Sequence, residues 1–267
     1  MRITSTKNPQ IKHLKQLQSK SKLRLHEGNF VIEGVREIST AIKQNYELIT
    51  VFISDERYNA DLEFSKETEI ISISPKVYEH MAYRSSTEGV IGLCKTKSHG
   101  LKELIFKTDS PLVLVLEAPE KPGNIGAILR TADAAQADAV IIANPRTDLY
   151  NPNSIRASLG AIFSNQIALG SSEEVIDFLF QSNFNIYAAT LQNSNSYLEH
   201  DYRDKTAFVM GSEAHGLTDV WRNHPKIKAV NIPMLGQIDS MNLSVSTAIL
   251  TFEALRQRRF SPAQPPL

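Results

Sequence analysis

The chain of 267 residues contains one cysteine, Cys94, and therefore cannot form an internal disulfide. This usage fits a reducing compartment, and we expect the protein to be cytoplasmic. No run of about 18 apolar residues is present, so the sequence predicts no membrane span. The opening stretch MRITSTKNPQIKHLK lacks an apolar core, and we expect no secretory signal there.

The usual signatures of ligand-binding α/β proteins are missing as well. Without a GxGxxG pattern there is no Rossmann dinucleotide fingerprint, and without GxxxxGK[ST] a P-loop nucleotide-hydrolysing enzyme is disfavoured. No GxSxG, HExxH or CxxC pattern occurs, and the 7 histidines show no ligand spacing, so we expect no metal. Any ligand site in this chain must use other loops.

Charge is balanced over the whole chain but not along it. The 29 basic and 29 acidic residues cancel, which argues against a protein coated in positive charge. The first 24 residues, called the basic segment, contain no acidic residue. Such a segment suits a phosphate-rich partner, although a solvated helix without a partner explains it equally well. Its basic residues are Arg2, Lys7, Lys12, Lys15, Lys20, Lys22 and Arg24.

The first third of the chain predicts a basic helix followed by a small α/β domain. The helix is expected from about Asn8, with Ile11, Leu14 and Leu17 on one side. Residues 95–110 are more polar, and we place a linker there. The predicted strands of the small domain are 30–32, 48–54, 70–73 and 89–94, and its predicted helix is 35–43.

The second part of the chain alternates strands and helices in the manner of a parallel sheet with crossover helices. Residues 112–117 form an almost unbroken apolar run, as in a strand buried on both faces. The last helix carries a stripe at helical spacing that we expect to face the core, formed by Val245, Ala248, Ile249, Phe252 and Leu255. We expect residues 261–267 to be disordered. The other predicted strands are 139–143, 185–190, 207–211 and 228–233, and the predicted helices are 124–136, 154–162, 171–181 and 242–258.

Three segments of this second part carry chemical information. The first follows the apolar strand, where Pro122 and Gly123 predict a turn and Asn124 can cap the next helix. Arg130 lies six residues after Asn124, so the two side chains need not share a helix face. A surface ion pair with Asp133 is the alternative role for Arg130.

The second segment surrounds Gly211, where a buried strand is predicted to end. Gly211 leaves backbone N–H and C=O groups accessible at the carboxyl edge of the sheet, where open α/β sheets bind ligands. Glu213 lies between this glycine and Gly216, which releases the chain into a short helix. An ordinary tight turn with a solvated Glu213 is an equally good explanation.

The third segment, residues 232–244, is a strand that meets proline and glycine and then enters the last helix. Ser240, Asn242 and Ser244 cluster at the start of that helix. Either Ser240 or Asp239 can cap it, and three small polar side chains exceed what capping needs. The surplus predicts a site that hydrogen-bonds a ligand.

In this order, the three segments resemble the motifs of the SpoU (TrmH-like) branch of the SPOUT RNA 2′-O-ribose methyltransferases. That family's first motif has an asparagine, a glycine and an arginine, matched by Asn124, Gly126 and Arg130. Its second motif pairs a strand-end glycine with a glutamate, matched by Gly211 and Glu213. Its third motif reads Ile-Pro-Met, glycine, then Ser-Leu-Asn-Val-Ser. The corresponding residues are Ile232, Pro233, Met234, Gly236, Ser240, Met241, Asn242, Leu243 and Ser244. Met241 and Leu243 are conservative replacements of the family's leucine and valine and leave the polar positions intact.

The resemblance implies a fold and an oligomeric state. Residues 111–258 would form a parallel-sheet SPOUT domain ending in a deep trefoil knot, a rare exception to unknotted topology. Residues 28–94 are similar to the small L30e-like RNA-binding domain that many members carry first. We therefore expect an α/β protein with domains 1–94 and 111–260. We also expect a homodimer whose sites lie near the subunit interface.

The implied cofactor is S-adenosylmethionine, held in a bent form largely by backbone groups. The cofactor contacts carried over from the family are Thr190, Gly211, Ile232 and Met241. No metal takes part in the implied reaction.

The implied reaction is methyl transfer to a ribose 2′-hydroxyl. This hydroxyl is a poor nucleophile until its proton is removed or its oxyanion is stabilised. Arg130 would activate it, either as a base or, because arginine is almost always protonated, by orienting the phosphate and stabilising the alkoxide. Asn124, Glu213, Ser240 and Asn242 would position ribose, phosphate and Arg130.

The expected partner is structured RNA. The contacts expected to RNA are Lys12, Lys15, Arg146 and Arg156, and residues 151–160 resemble the family's RNA-facing loop and helix. A separate small domain favours large-subunit ribosomal RNA by analogy. Transfer RNA methylation and a non-catalytic, RNA-binding assembly factor of the same fold are the alternatives.

Overall fold

A computed structural model describes residues 2–83, 88–238 and 240–259. Asp239, one of the two predicted helix caps, and the tail predicted to be disordered lie outside the described residues.

The chain packs into two compact units, each with its own core. Unit 1 comprises Met1–Ser98 with Asp148–Ser164, and unit 2 comprises His99–Thr147 with Asn165–Leu267. Packing groups Asp148–Ser164 with unit 1, although this segment lies inside the second domain predicted from the sequence. The sequence boundaries themselves stay a prediction.

Strands and helices agree with most of the predicted elements. The strands are β1 (Arg2–Ile3), β2 (Asn29–Glu33), β3 (Leu48–Ile53), β4 (Glu69–Ile73), β5 (Val90–Lys95), β6 (Leu112–Glu117), β7 (Ala139–Ala143), β8 (Ile167–Gly170), β9 (Asn185–Ala189), β10 (Asn195–Ser196), β11 (Thr206–Met210) and β12 (Lys228–Asn231). The helices are α1 (Pro9–Ser19), α2 (Ser21–Glu27), α3 (Val35–Lys43), α4 (Pro75–Met81), α5 (Pro122–Ala135), α6 (Pro152–Ser158), α7 (Ala161–Ser164), α8 (Ser172–Gln181), α9 (Asp219–Arg222) and α10 (Leu243–Arg259).

The described part of unit 1 is built around a mixed five-stranded sheet in the order β1-β4-β3-β5-β2. Strand β5 runs antiparallel to both β2 and β3, while β4 is parallel to β1 and β3. Helix α1 buries Ile11, Leu14 and Leu17 against this sheet, as the sequence predicts. The Asn8 side chain caps α1 by accepting the N–H of Gln10 at 2.8 Å. A basic helix over an α/β layer is therefore confirmed for Pro9–Ser19, but Lys20 is extended and the rest of the basic segment begins a second helix, α2.

Arg24 is not part of the basic surface that the sequence suggests. Its side chain is 3% exposed and forms an ion pair with Asp148. Its guanidinium also donates to the carbonyl oxygens of Leu17 and Gln18. Breaking a buried pair leaves an uncompensated charge and costs about 3–5 kcal/mol. Arg24 is therefore a structural residue of unit 1, unavailable to a phosphate.

Cys94 lies fully buried in unit 1. Burial, reinforced by the nearby charge of Glu47, raises the pKa of its thiol to about 12. Because the thiolate is the reactive form of cysteine, Cys94 is an apolar core residue rather than a nucleophile.

In the described part of unit 2, seven strands form one sheet in the order β10-β12-β9-β11-β6-β7-β8. All of its strand pairs are parallel, which confirms the predicted parallel sheet. The apolar strand β6 lies in the interior and is buried along its whole length. Parallel strands end at the same edge, so the loops after β6, β9, β11 and β12 meet there.

The predicted helix 154–162 is two short helices, α6 and α7. Leu159 adopts a left-handed backbone with φ 53°, and Gly160 follows with φ 94°. These two residues end α6 and turn the chain into α7, so the prediction of one continuous helix is wrong. A left-handed leucine carries no clear sequence signal, because side chains with a Cβ rarely adopt that conformation.

The predicted stripe of α10 does not face the core. Val245 and Phe252 are 48% and 47% exposed. The prediction is wrong because apolar spacing identifies a helix face without identifying what covers it. The opposite face is buried instead, and its threonine hydroxyls bond to carbonyls of their own helix. The buried residues of α10 are Leu243, Thr247, Leu250, Thr251 and Ala254.

The predicted linker, residues 95–110, is more ordered than its polarity suggests. It contains the last residue of β5 and a 3-10 turn at Leu101–Glu103. Leu101, Leu104 and Phe106 pack against the core of unit 2. These apolar residues tie its second half to the sheet of unit 2.

Candidate functional site

A cavity of about 690 Å³ opens at the carboxyl edge of the unit 2 sheet. Its walls are the loops after β9, β11 and β12, together with the start of α10. Small-molecule sites usually enclose about 300–1,000 Å³, so one cofactor-sized ligand fits. The lining includes residues 189–192, 210–217, 230–232 and 240–243.

The structure brings most of the predicted site residues to this cavity. The predicted cofactor contacts in its wall are Thr190, Gly211, Ile232 and Met241. The predicted catalytic residues in its wall are Glu213, Ser240 and Asn242.

Three residues from three distant segments form a hydrogen-bonded chain beside the cavity, called the amide relay. Asn124 is buried in the first turn of α5, and its Nδ2 donates to Glu213 Oε1 at 2.6 Å. Asn242 Nδ2 donates to Asn124 Oδ1 at 3.3 Å. Asn242 Oδ1 accepts the N–H of Ser244 at 2.9 Å and its hydroxyl at 2.7 Å. The relay therefore joins all three motifs.

The relay has a direction, because an ionised carboxylate can only accept hydrogen bonds. Asn124 must present its NH₂ group to Glu213 and its oxygen to Asn242. Asn242 must then present its own NH₂ group to Asn124, which leaves its oxygen for Ser244. The charge on Glu213 thus sets the orientation of two amides at the cavity wall.

Hydrogen bonds keep Glu213 ionised although it is half-buried. Burial raises the pKa of the carboxyl, but its own N–H, the amide of Asn124 and the N–H groups of Glu120 and Lys121 lower it by more. The resulting pKa lies below the ordinary value for glutamate. Of these donors, the Glu120 N–H lies 3.2 Å from Oε2.

Gly211 is required by the fold of its own loop. Ser212 and Gly216 exchange two backbone hydrogen bonds at 3.0 Å, which closes a tight turn. A Cβ on Gly211 would lie 2.2 Å from the carbonyl carbon of Gly216, so a side chain there would break the turn. The sequence predicts backbone access for a ligand at this position. The structure adds this packing reason.

The predictions that Asn124 and Ser240 cap helices at the site are wrong, while Asp239 lies outside the described residues. Helix α5 already begins at Pro122, so Pro122 and Gly123 are helical and Asn124 points to Glu213 instead of capping. At α10, Asn242 accepts the N–H of Ser244 in the manner of a cap, and Ser240 lies upstream at the cavity. At α5 the hydrogen bond to Glu213 engages the asparagine that local rules assign to the cap, and at α10 the cap is Asn242, two residues after Ser240.

Arg130 lies apart from the cavity formed by its own chain. It is exposed on α5 and does not line the cavity. Six residues rotate a helix by about 240°, which carries Arg130 away from the side of Asn124. Within residues 2–83, 88–238 and 240–259, no ion pair of Arg130 occurs, so the predicted alternative pair with Asp133 is not formed.

The residues predicted to contact RNA are divided between the units. Lys12 is exposed and Lys15 half-buried on α1, and Arg156 is exposed on α6, all in unit 1. Arg146 belongs to unit 2 and pairs with Glu120 at 3.2 Å. Its side chain is 56% exposed, so this surface pair leaves the guanidinium accessible.

Several polar residues at the site escaped the sequence reasoning. Lys121, His215 and Arg222 line the cavity, and Arg222 pairs with Asp219 at 2.7 Å. Glu117 ends β6 behind the cavity loops and is 1% exposed. Glu117 could have been noticed in the sequence, because it is an acidic residue at the end of an otherwise apolar strand. Lys121 and His215 come from loops and Arg222 ends the short helix α9, and none of the three has a distinguishing pattern.

Among the described residues, no group of three or more His, Cys, Asp and Glu side chains could hold a metal ion. No helix in the described part of the chain is long and apolar enough to cross a membrane.

The site and the fold define a class of protein, and comparison with known sequences identifies it. Residues 111–252 match the SpoU rRNA Methylase family, and residues 8–92 match the MRM3-like substrate binding domain. The chain belongs to the SpoU rRNA methylase family.

Two curated relatives are both named as 23S rRNA 2′-O-methyltransferases. The chain is 28% identical to a 23S rRNA uridine 2′-O-methyltransferase of Streptomyces viridochromogenes, over 96% of this chain and 92% of that protein. It is 32% identical to the 23S rRNA guanosine 2′-O-methyltransferase RlmB of Escherichia coli, over 64% of this chain and 72% of that protein.

Solved structures of similar proteins share the whole architecture. A structure described as an RNA 2′-O ribose methyltransferase is 38% identical, with a TM-score of 0.81 over 97% of this chain and 99% of that chain. The AviRb methyltransferase of Streptomyces viridochromogenes, in complex with AdoMet, is 26% identical, with a TM-score of 0.85 over 96% of this chain and 100% of that chain. The likeness supports the two-part α/β fold.

The cavity suits S-adenosylmethionine by its size and its lining. Ile232, Met241 and Leu250 offer apolar contacts for a purine ring. Lys121 and Arg222 supply positive charge for a carboxylate, and Glu213 supplies negative charge for an amine or a sulfonium. These groups match the three chemical parts of that cofactor.

The direction of the Glu213 pKa predicts how its contribution to stability varies with pH. Because the folded-state pKa is lowered, the carboxylate stabilises the folded chain above the ordinary pKa of glutamate, and this stabilisation is lost as pH falls through the folded-state pKa. Glu213→Gln should therefore lower the melting temperature at about pH 7, with a difference from wild type that shrinks towards about pH 4 and below. A difference that stays constant or grows on acidification would contradict the ionised relay.

Proposed function

We propose that this protein is an S-adenosylmethionine-dependent methyltransferase that modifies a ribose 2′-hydroxyl in large-subunit ribosomal RNA. The observation that carries the proposal is the amide relay, which fixes residues of three motifs around one cofactor-sized cavity. The activities printed for the curated relatives, both on 23S rRNA, favour the ribosomal substrate. We also propose that the protein is cytoplasmic, as its single cysteine led us to expect.

The cofactor supplies an electrophilic methyl group on a sulfonium. The ribose oxygen forms a bond to that methyl carbon as the carbon–sulfur bond breaks, and the hydroxyl proton leaves to water. We assign Thr190, Gly211, Ile232 and Met241 to cofactor binding. Ser240 and Asn242 hold the ribose, because their polar side chains lie at the cavity wall beside the relay.

Arg130 stabilises charge in this mechanism. Arginine carries its positive charge at neutral pH, so it is unsuited to remove the hydroxyl proton. Its planar fork matches a phosphate and a developing alkoxide. Glu213 and Asn124 do not contact the substrate in this mechanism. They act indirectly, by fixing the orientation of Asn242.

We further propose that the protein is a homodimer in which Arg130 of one copy completes the site of the other. Arg130 is exposed and lies outside the cavity of its own chain. Helix α10, which packs against α5, presents Val245 and Phe252 to solvent. Burying that apolar stripe between two copies would bring Arg130 to an interface. The trefoil knot implied by the resemblance stays a prediction.

RNA is selected by unit 1 in this proposal. The matched substrate-binding family covers most of the chain before residue 95. Lys12, Lys15 and Arg156 are the cations we assign to RNA phosphates, with Arg146 contributing from unit 2. Phosphate contacts provide affinity and positioning, while shape selects the RNA.

Mixed dimers test both the activity and the shared site. Full-length protein is incubated with labelled S-adenosylmethionine and either 23S rRNA or transfer RNA, and 2′-O-methylation is mapped. Arg130→Ala should lose methyl transfer by at least about a hundredfold, as expected for removal of a group that stabilises developing negative charge, while it still binds S-adenosylhomocysteine. Asn242→Ala should also be impaired. Co-expression of the two variants should restore about one quarter of wild-type activity, since random pairing makes half of the dimers mixed, each with one intact site.

Each other outcome has a defined meaning. Mixtures that stay as inactive as the single variants would place Arg130 in the site of its own chain. Methylation of transfer RNA alone would favour the first alternative substrate. Cofactor binding or RNA binding without methyl transfer to either RNA would favour a non-catalytic assembly factor.

The salt dependence of RNA binding tests the role of α1. Lys12→Gln combined with Lys15→Gln should weaken binding to 23S rRNA. The log–log salt slope should become shallower by about 1.4 to 1.8, because each neutralised phosphate contributes about 0.7 on single strands and 0.9 on duplex DNA.

The matched control is Lys66→Gln with Lys76→Gln, two exposed lysines of unit 1 outside the basic segment. Its slope should equal that of the wild type. Equal slopes for all three proteins would mean that the basic segment is merely solvated.

A further inference from the structure

Glu117 is a buried carboxylate to which the proposed mechanism assigns no role. It ends β6 at the carboxyl edge of the sheet and is 1% exposed. Among the ion pairs of the described residues, none includes Glu117. A charge buried without a cation is costly unless hydrogen bonds compensate it. Its presence in an apolar strand therefore needs a reason.

Hydrogen bonds to Glu117 come from a loop and a helix. Oε2 accepts the backbone N–H of Thr218 at 2.8 Å, and Oε1 accepts the Thr218 hydroxyl at 2.6 Å. Oε1 also accepts the hydroxyl of Ser172 at 2.9 Å. The Ser172 oxygen accepts Asn144 Nδ2 at 2.9 Å and Trp221 Nε1 at 3.0 Å. Every donor in this network has an acceptor, so the network is rigid.

The network fixes one end of the cavity loop, residues 211–218. The other end is held by β11, which pairs with β6 and β9. Between the two ends lie Gly211 and Glu213, which line the cavity. Glu117 itself does not line the cavity and acts only through Thr218.

We propose that Glu117 is a positioning residue for cofactor binding, which holds the loop 211–218 in the conformation that fits S-adenosylmethionine. This inference rests on the proposed function, since it concerns the same cavity. An apolar residue could fill the same space but could not anchor Thr218. The two hydrogen bonds to Thr218 fix both the backbone and the side chain of the loop's last residue.

The test is the affinity of the full-length protein for S-adenosylhomocysteine, measured by isothermal titration. Glu117→Gln keeps the size of the side chain but turns one acceptor oxygen into a donor NH₂ group, which would face another donor. We expect its affinity to be at least about tenfold weaker, because hydrogen bonds to a charged group are among the stronger ones. Circular dichroism and a cooperative thermal transition establish that the variant is folded.

Thr206→Val is the matched control for general destabilisation. Thr206 is 1% exposed at the opposite end of β11, where its hydroxyl donates to the carbonyl oxygens of Tyr202 and Asp204. We expect it to melt at a lower temperature while its affinity stays within about twofold of wild type. A folded Glu117→Gln protein that also binds within about twofold would make Glu117 merely structural and overturn the proposal.

A second pair of variants covers the case in which Glu117→Gln does not fold. Thr218 is exposed, so Thr218→Val and Thr218→Ser should both be tolerated. Thr218→Ser keeps the hydroxyl and should bind like the wild type, whereas Thr218→Val should bind more weakly. Equal affinities in this pair would overturn the positioning role. If the wild-type protein itself fails to bind S-adenosylhomocysteine, the proposed function fails first.

Discussion

An ionised carboxylate can only accept hydrogen bonds, and in this protein that restriction reaches across three segments of the chain. Glu213 accepts from Asn124, which turns the Asn124 oxygen towards Asn242. Asn242 then accepts from Ser244 at the start of α10. These residues are more than a hundred positions apart in sequence at the extremes. The negative charge of Glu213 thus fixes the relative positions of α5, the loop after β11 and the start of α10 around the cavity.

Two carboxylates hold the same loop from different sides. Glu117 binds its last residue from behind the sheet edge, while Glu213 extends from the loop to α5. The same loop closes in a tight turn that leaves no room for a side chain at Gly211. A loop held at its end and its middle loses little further freedom when a ligand binds, which favours affinity. The architecture explains how a site without a glycine-rich phosphate loop can still be preorganised.

The single chain leaves two features unexplained, and the proposed dimer would account for both. An apolar stripe on α10 is exposed, and Arg130 lies away from the cavity that its motif partners line. A second copy seated on this face would cover the stripe and give Arg130 a substrate. The sequence expectation that this stripe faces the core was wrong.

The family resemblance supplied the predicted cofactor contacts in the cavity wall, Thr190, Gly211, Ile232 and Met241. Periodicity and strand-end logic predicted the parallel sheet and most element bounds. They did so because burial and the shared carboxyl edge follow from local pattern and topology. Side-chain partners could not be predicted in this way. Local rules predict Asn124 as a helix cap. Its side chain instead donates a hydrogen bond to Glu213, which comes from a loop distant in sequence. The same holds for Arg24, whose burial depends on Asp148.

The most direct test of the amide relay is a double-mutant cycle on methyl transfer, with Glu213→Gln, Asn242→Ala and the double variant. If the relay acts as one unit, the double variant should lose little more activity than the more impaired single variant, because either change already breaks the same chain of hydrogen bonds. Losses that multiply independently would mean that Glu213 and Asn242 act separately, and would contradict the relay as the constraint that organises this site.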